Sequence, residues 1–345
     1  MEMRSYAAAL GIFFHVTLLG MNCHATDHEL DVAIATMERQ ESELGPIEVA
    51  FEFVTRVDVG NPIASPVEAR LIHRQCVDGA RRRLETMGVM DVTRPELKQD
   101  LTTVFTGQRQ NSFDRTRQHG AIGLKGGFPH DYFAAAYLFP EGLLARLKKN
   151  RPQLIPTRDT VGGKNTLRVS WLDKEAGTEM VVWLDAARFY QPAQLIIDSP
   201  IPSGMFPDDR NRGVYRLVVS DYWLSERAAL PSQVRTTYEM FWPDGKHRLV
   251  NDKTLKVKDV KRNVAFASEE FELVFPPGAT VTDLERQVTY VEGKAGSEQR
   301  LAQSPPENTT RSSSLGGFGI HWLWIGIGLI LVAIGVFRKI IIARQ

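Results

Sequence analysis

The sequence predicts an α+β protein built on one large curved antiparallel sheet, with helices on the concave face and one C-terminal transmembrane helix. Many segments alternate apolar and polar residues with the period of two typical of a half-buried strand, as in residues 47–59. Turn signals such as Asp78-Gly79 separate these segments, so neighbouring strands should pair as hairpins. Residues 317–337 contain no Asp, Glu, Lys or Arg and are long enough for a helix to cross a hydrocarbon core.

In chain order, residues 26–44 are predicted to form a helix, and residues 133–150 a second helical stretch that Pro140 interrupts. About ten strands are expected from the period-two rule. The glycine-rich residues 120–127 predict a loop, and residues 271–275 predict a late strand. The candidate segments for these strands are residues 47–59, 69–77, 80–89, 102–105, 108–113, 157–161, 166–172, 178–184, 193–198, 214–223, 232–242, 248–260 and 271–275, with a short piece in 281–291.

The N-terminus has the pattern of a secretory signal peptide over residues 1–25. Arg4 precedes an apolar run over residues 7–21, and Ala25 stands before the expected cleavage site. An uncleaved signal anchor is the alternative. Cleavage would remove Cys23 and leave Cys76 as the single cysteine, so no disulfide within the chain is expected.

The C-terminus predicts a membrane attachment. Residues 298–316 are polar and form an expected stalk, residues 317–337 the expected transmembrane helix, and residues 338–345 a cytoplasmic tail. Arg338 and Lys339 place that tail on the cytoplasmic side. Residues 26–297 then form an extracytoplasmic domain, held at the inner membrane by a single pass. The alternative is a sorting signal that is cut off and discarded.

Composition and motifs exclude several classes of function. The net charge of +1 gives no indication of nucleic-acid binding. The sequence contains neither His-Glu-x-x-His nor Gly-x-Ser-x-Gly, and its histidines match no metal-ligand spacing. We therefore expect no enzyme, no metal and no cofactor; a hydrolase with an unrecognised site is the weakest alternative.

Large side chains in the predicted strands are the candidate lining of an apolar binding site. The alternative is that they fill the core, because a binding role requires a hollow too large for the helices to fill. The candidates are Phe51, Phe53, Trp171, Trp183, Tyr222, Tyr238, Met240 and Trp242.

Five arginines near the first hairpin form a second candidate site, a basic patch for anionic lipid head groups. The alternative is a solvated strand face. These residues are Arg70, Arg74, Arg81, Arg82 and Arg83.

The second half of the chain resembles a known group. Its motifs are Val-Val-Trp-Leu-Asp at 181–185, Tyr-Gln-Pro at 190–192, Ser-Asp-Tyr-Trp at 220–223, Leu-Pro at 230–231 and Phe-Pro-Pro-Gly-Ala-Thr-Val-Thr-Asp at 275–283. In this order and spacing they resemble the LolA/LolB/RseB-like superfamily of outer-membrane lipoprotein-sorting proteins.

The resemblance implies a half-barrel of antiparallel strands with helices inside it, which binds lipid or lipoprotein acyl chains without catalysis. A tethered chain cannot ferry cargo between membranes, so a stationary acceptor is expected. The alternative is an RseB-like envelope sensor, regulator or scaffold that acts by contact with a protein partner.

Overall fold

The computed structural model describes residues 27–57, 67–107, 109–124, 132–137, 142–174, 176–201 and 211–300. In this part of the chain, sixteen strands form one large curved sheet. The strands are β1 (Ile47–Val57), β2 (Val67–Asp78), β3 (Arg81–Val89), β4 (Lys98–Thr106), β5 (Gln110–Asp114), β6 (His119–Leu124), β7 (Ile155–Val161), β8 (Lys164–Asp173), β9 (Thr178–Asp185), β10 (Gln191–Pro200), β11 (Arg212–Leu224), β12 (Ala229–Phe241), β13 (His247–Arg262), β14 (Thr280–Asp283), β15 (Val288–Val291) and β16 (Gln299–Arg300).

The sheet consists of two runs of hairpins joined through one long strand pair. Strands β1 to β6 follow one another, as do β7 to β13, and the antiparallel pair β1–β13 joins the two runs. β14 continues the sheet beyond β6 in the single parallel pairing among the described strands. β7 and β16 are the two ends of this order, so the described sheet does not close on itself.

Alternation along β1 separates the two faces of the sheet. Ile47, Val49, Phe51 and Phe53 are buried and belong to the main apolar core, while the residues between them point the other way. We call the face of Phe51 the inner face and the opposite face the outer face.

Three helices contribute to the core on the inner face. They are α1 (residues 27–44), α2 (Tyr132–Tyr137) and α3 (Leu143–Lys149). In α1 the buried Leu30, Ala33 and Met37 recur at helical spacing and form one apolar stripe. The buried Gln40 side chain of the same helix donates a hydrogen bond to the Ala229 carbonyl, at 2.9 Å between Nε2 and O.

Helix α2 joins two distant strands. The Tyr132 backbone N–H donates to Gln75 Oε1 of β2 at 2.6 Å, and the Tyr132 hydroxyl donates to the Pro231 carbonyl of β12 at 2.7 Å. β2 and β12 are three positions apart in the sheet, a span of about 14 Å. Tyr132 is fully buried, so these two bonds fix the helix in the middle of the inner face.

On the outer face, ion pairs fix a late segment of the chain across the first hairpins. The Arg74 guanidinium contacts Glu48 at 2.6 Å and Glu270 at 2.9 Å between nitrogen and oxygen. Glu270 belongs to a 3-10 turn, Ser268–Phe271, whose Phe271 ring packs with Cys76 and Val104. This contact buries Cys76 of β2 and Val104 of β4, which would otherwise be exposed to solvent on the outer face.

The hairpins predicted from turn signals are confirmed, for example β2–β3 around Asp78-Gly79. The prediction of about ten strands is too low. The loop predicted over residues 120–127 is wrong for its described part, because β6 runs through Gly120. A Cβ atom there would lie 2.4 Å from the Phe275 ring, so glycine makes room for that aromatic side chain. The strand predicted over residues 271–275 is also wrong, since that segment pairs with no strand.

The fold class expected from the sequence requires one larger correction. Among the described residues, no helix is both long and apolar enough to cross a membrane. Within that part, the fold is therefore a large curved antiparallel sheet with short helices and no transmembrane element. The predicted signal peptide, the transmembrane segment 317–337 and the tail lie outside the described residues. So does the predicted stalk except for its first residues, of which 299–300 pair with β15.

The outer-face ion pairs predict an acid dependence of stability. Burial of Glu48 raises the pKa of its carboxyl, but hydrogen bonds from Lys261 and Arg74, together with their charges, outweigh burial and lower that pKa below its ordinary 4.5. A lowered pKa stabilises the fold above pH 4.5, and this contribution is lost as pH falls through the folded-state value.

We expect Glu48→Gln to lower the free energy of unfolding at pH 7 by about 1–3 kcal/mol. The variant should then lose less stability on acidification than the original chain does. Urea unfolding at pH 7 and at pH 3.5 measures both effects. Glu226→Gln, at an exposed position in the turn between β11 and β12, is the control and should change neither. Equal acid sensitivity of the original chain and Glu48→Gln would contradict the assignment.

Candidate functional site

Four of the eight candidate lining residues lie in the main core. Phe51, Phe53, Trp171 and Tyr222 are buried on the inner face. The Phe51 ring stacks on His73, with 4.7 Å between ring centroids, and meets the edge of the Tyr132 ring at 5.9 Å. In this middle part of the inner face, aromatic side chains of the sheet pack directly against helix α2.

Trp183 lies on the outer face. Its neighbours Val182 and Leu184 belong to the core, so alternation turns the indole away from it. The indole N–H donates to Asp159 at 2.8 Å, and the Arg168 guanidinium lies 5.8 Å from the ring centroid. The structure therefore does not bring Trp183 together with the other candidates.

Tyr238, Met240 and Trp242 form a separate group at one end of the inner face. β10 and β12 end there, and β11 and β13 begin there. The group contains no described residue of the three helices, and only Tyr215 also contacts the main core. We call it the end cluster; its members are Ile201, Tyr215, Tyr238, Met240, Trp242 and Val250.

Two stacked tyrosines form the middle of the end cluster. The Tyr215 and Tyr238 rings are 4.3 Å apart at an interplanar angle of 24°. Gly213 leaves the space for them, since a Cβ atom there would lie 2.6 Å from the Tyr238 hydroxyl oxygen and 2.8 Å from a ring carbon. Burial raises the pKa of Tyr238 to about 12, and burial also raises the pKa of Tyr215. Both hydroxyls are therefore neutral at physiological pH.

Lys253 lies next to the end cluster on the inner face. It stands opposite Thr55 of β1 and Thr236 of β12, two residues before the buried Leu255. Burial lowers the pKa of its ammonium group. Within the described residues no carboxylate lies in ion-pair distance of Lys253. Asn251, two residues earlier on the same face, has a buried Oδ1 atom without a hydrogen-bond partner.

Sequence reasoning missed Lys253, although a signal for it was present. Leu255 and Val257 alternate with Lys256 and Lys258, which predicts apolar residues inward and lysines outward. The same alternation, continued by two residues, turns Lys253 inward. Lys253 was overlooked because a lysine in a strand is normally assigned to the solvent face.

The five arginines do not form one free basic patch. Four of them lie on the outer face, and each has an acidic partner. Arg82 stands opposite Val77 and Phe105, so it points to the inner face, away from the others. The pairs are Arg70 with Glu68, Arg74 with Glu48 and Glu270, Arg81 with Asp78, and Arg83 with Glu85.

Within the described part of the chain, no group of three or more His, Cys, Asp and Glu side chains is placed to hold a metal ion. Cys76 is fully buried beside Glu270, with 3.6 Å between its Sγ and Oε1. Burial raises the pKa of its thiol to about 12, although the Arg74 charge opposes this shift. A thiol with this pKa is a poor nucleophile.

Comparisons with known proteins give similarities of fold at very low sequence identity. No family model matches the sequence, and no curated protein matches it. A DUF1329 family protein from Desulfovibrio piger is similar at 8% identity and a TM-score of 0.42, over 72% of this chain and 97% of that one. A LolA superfamily protein from Nitrosomonas europaea is similar at 9% identity and a TM-score of 0.41, over 70% of this chain and 98% of that one. LprF from Mycobacterium bovis is similar at 13% identity and a TM-score of 0.21, over 72% of this chain and 97% of that one.

All three TM-scores are below 0.5. The proposals below therefore depend on the contacts of this chain.

The end cluster predicts a specific cost for filling the space at Gly213. Gly213→Ala places a methyl group against the Tyr238 ring and should destabilise the fold by about 1–3 kcal/mol. The same substitution in a Tyr238→Leu background should cost less, because the ring that it meets is gone. Chemical unfolding of the four proteins of this double-mutant cycle measures the coupling. Equal costs in both backgrounds would contradict the contact.

The environment of Cys76 predicts an unreactive thiol. At pH 8, iodoacetamide should modify Cys76 about a thousandfold more slowly in the folded chain than after unfolding in urea. Mass spectrometry of the peptide that contains residue 76 measures this rate separately from that of Cys23. Comparable rates in the two states would show that the thiol is not buried as described.

Proposed function

We propose that this protein binds a long acyl chain, of a lipid or a lipoprotein, on the inner face of the sheet at the end cluster. The observation that carries the proposal is an apolar group on the inner face that lies apart from the helix-packed core. Tyr238 and Met240 are buried there, while Tyr215, Trp242 and Val250 are half-buried. The proposed role is binding rather than catalysis.

The side chains of the end cluster suit a flexible apolar ligand. Met240 is unbranched and adapts to irregular shapes. Tyr215, Tyr238 and Trp242 each offer a broad apolar ring with a polar group at one edge. Each methylene group that leaves water contributes about 0.8 kcal/mol, so six buried methylenes contribute about 5 kcal/mol before the entropic cost of binding. This supports an affinity for single acyl chains with a Kd of about 0.2 mM or weaker.

The proposal includes a location outside the cytoplasm, in the cell envelope. It depends on the signal-peptide pattern of residues 1–25 and on the resemblance of the motifs in the second half of the chain. A lipid-binding role agrees with that location, because acyl chains of lipids and lipoproteins are available there.

A brominated chain tests the proposal, because bromine quenches nearby tryptophan fluorescence. We expect 12-bromododecan-1-ol to quench the fluorescence of the full-length chain in a saturable way. Trp242→Phe should remove most of the saturable quenching, since Trp242 is the tryptophan of the end cluster. Quenching that does not saturate, or that is unchanged in Trp242→Phe, would reject binding at this site.

A matched pair of methionine variants tests the same site by affinity. Met240→Gln should weaken binding of the brominated alcohol about fivefold, because the chain then meets an amide in place of a thioether (about 1 kcal/mol). Met87→Gln makes the same change at a position on the outer face that is 55% exposed, and it should leave the affinity unchanged. Equal effects of the two variants would place the ligand elsewhere.

An exposed apolar patch favours a second candidate function, contact with a protein partner of the envelope. Ile72 and Met87 stand directly opposite each other on the outer face and are 59% and 55% exposed. Met90, Val92 and Leu97 in the following turn are also exposed. A photo-crosslinking residue at position 87 should then give a discrete adduct in cells. The same residue at position 218, 42% exposed on the outer face of β11, should not.

A further inference from the structure

Lys253 is placed on the inner face by its pairing on both sides. Its neighbours across the strands are Thr55 and Thr236, and the preceding pair toward the core is Phe53 with Leu255. Both members of that pair are buried in the main core. Toward the end of the sheet, the next pair is Asn251 with Tyr238 of the end cluster. Lys253 therefore stands at the boundary between the helix-packed core and the end cluster.

The charge of Lys253 differs from that of two other lysines of β13, which have acidic partners. Lys258 and Lys261 of the same strand pair with Glu52 and Glu48 at 2.8 and 2.6 Å. Lys253 has no such partner within the described residues. The adjacent Asp252 points to the outer face, where it pairs with Arg235 at 2.9 Å, so its charge is already balanced.

The described inner-face residues paired around Lys253 carry no charge. The inner-face side chains at its own and the two adjacent pairing positions are apolar or carry hydroxyl, phenol and amide groups. A partly buried ammonium group without a counter-ion is costly, because burial removes water and no opposite charge replaces it. An anion bound beside Lys253 would supply the missing partner.

Polar groups beside Lys253 add to what its ammonium group alone offers an anionic head group. A carboxylate or phosphate accepts several hydrogen bonds, of which one ammonium group supplies only part. The hydroxyls of Thr55 and Thr236 stand on either side of Lys253 in the register. The Asn251 side chain lies two residues away, and its amide NH2 group is a hydrogen-bond donor. These groups offer the additional donors that an oxyanion needs.

We propose that the ligand is an anionic amphiphile, whose carboxylate or phosphate binds Lys253 while its acyl chain lies against the end cluster. This inference rests on the proposed function and adds the chemical class of the head group. The shared chemistry is a single-chain oxyanion, which a free fatty acid and a phospholipid both provide.

Matched ligands of one chain length test the head-group preference in the full-length protein. Dodecanoate, dodecyl phosphate and dodecan-1-ol are compared as competitors of 12-bromododecan-1-ol, at concentrations below micelle formation. We expect at least one of the two anions to bind about tenfold more tightly than the alcohol. Preference for dodecanoate indicates a fatty acid, and preference for dodecyl phosphate a phosphate head group. Equal affinity of all three competitors overturns the head-group assignment and leaves the acyl-chain site in place. Failure of all of them to bind overturns both proposals.

Three lysine variants assign the preference to Lys253. Lys253→Met retains the length of the side chain without its charge, and it should reduce the ratio of anion affinity to alcohol affinity to about one. Lys253→Arg should retain the preference. Lys256→Met removes the neighbouring exposed, outer-face lysine of the same strand and is the control. If the control and Lys253→Met lose the preference equally, the effect is one of general charge and the proposal is wrong.

The stability of the ligand-free variants provides an independent measurement. If Lys253 is maintained for binding, Lys253→Met should raise the thermal midpoint of the ligand-free chain, because it removes an unpaired charge from a partly buried position. Lys256→Met should leave the midpoint unchanged. A lower midpoint for Lys253→Met would show that the ammonium group has a structural role, and this result would overturn the proposal.

Discussion

The pairing of β1 with β13 is the interaction on which the rest of the structure depends. It runs from Ile47 opposite Arg262 to Val57 opposite Asn251 and joins two runs of hairpins into one sheet. Without it, neither run would contain the whole inner face, and the core would be divided between two partial sheets. The same register places Phe53 beside Leu255 and Thr55 beside Lys253, so a slip of one residue would turn Lys253 to the outer face.

Helix α2 packs against the middle of the inner face, and the end cluster lies apart from it. Its Tyr132 is bonded to both β2 and β12, and its ring meets Phe51 in the middle of the core. The part around this helix is fixed by packing and by hydrogen bonds. The end cluster contains no described helical residue. A helix-packed core beside a separate apolar group is an arrangement that suits the binding of an acyl chain outside the core.

Local signals in the sequence predicted most of the sheet. Turn residues and period-two alternation identified the hairpins, because both act between residues that are close in the chain. β6 was missed because its glycine provides room for Phe275, a residue 155 positions later in the chain. The 3-10 turn at Ser268–Phe271 was missed for a similar reason: the arginines that hold it lie in β2 and β3.

The residue types of the candidate site could be predicted from the sequence, but which of these residues lie together could not. Large apolar side chains in strands pointed to Tyr238, Met240 and Trp242, yet nothing local distinguished them from Phe51 or Trp171. That distinction depends on which part of the inner face the helices cover. The arginines looked like one patch because sequence proximity does not reveal their acidic partners, some of which lie nearly two hundred residues away, as Glu270 does from Arg74.

The two ends of the described sheet, β7 and β16, are not paired with each other. A closed barrel has a fixed diameter, because every strand is hydrogen-bonded on both sides and widening would break a ladder of these bonds. An open sheet can change its curvature by small rotations shared among all of its strand pairs, with each ladder kept intact. The volume above the inner face can therefore change with the curvature of the sheet. Ligands of different thickness can then bind with little loss of hydrogen bonding between the strands.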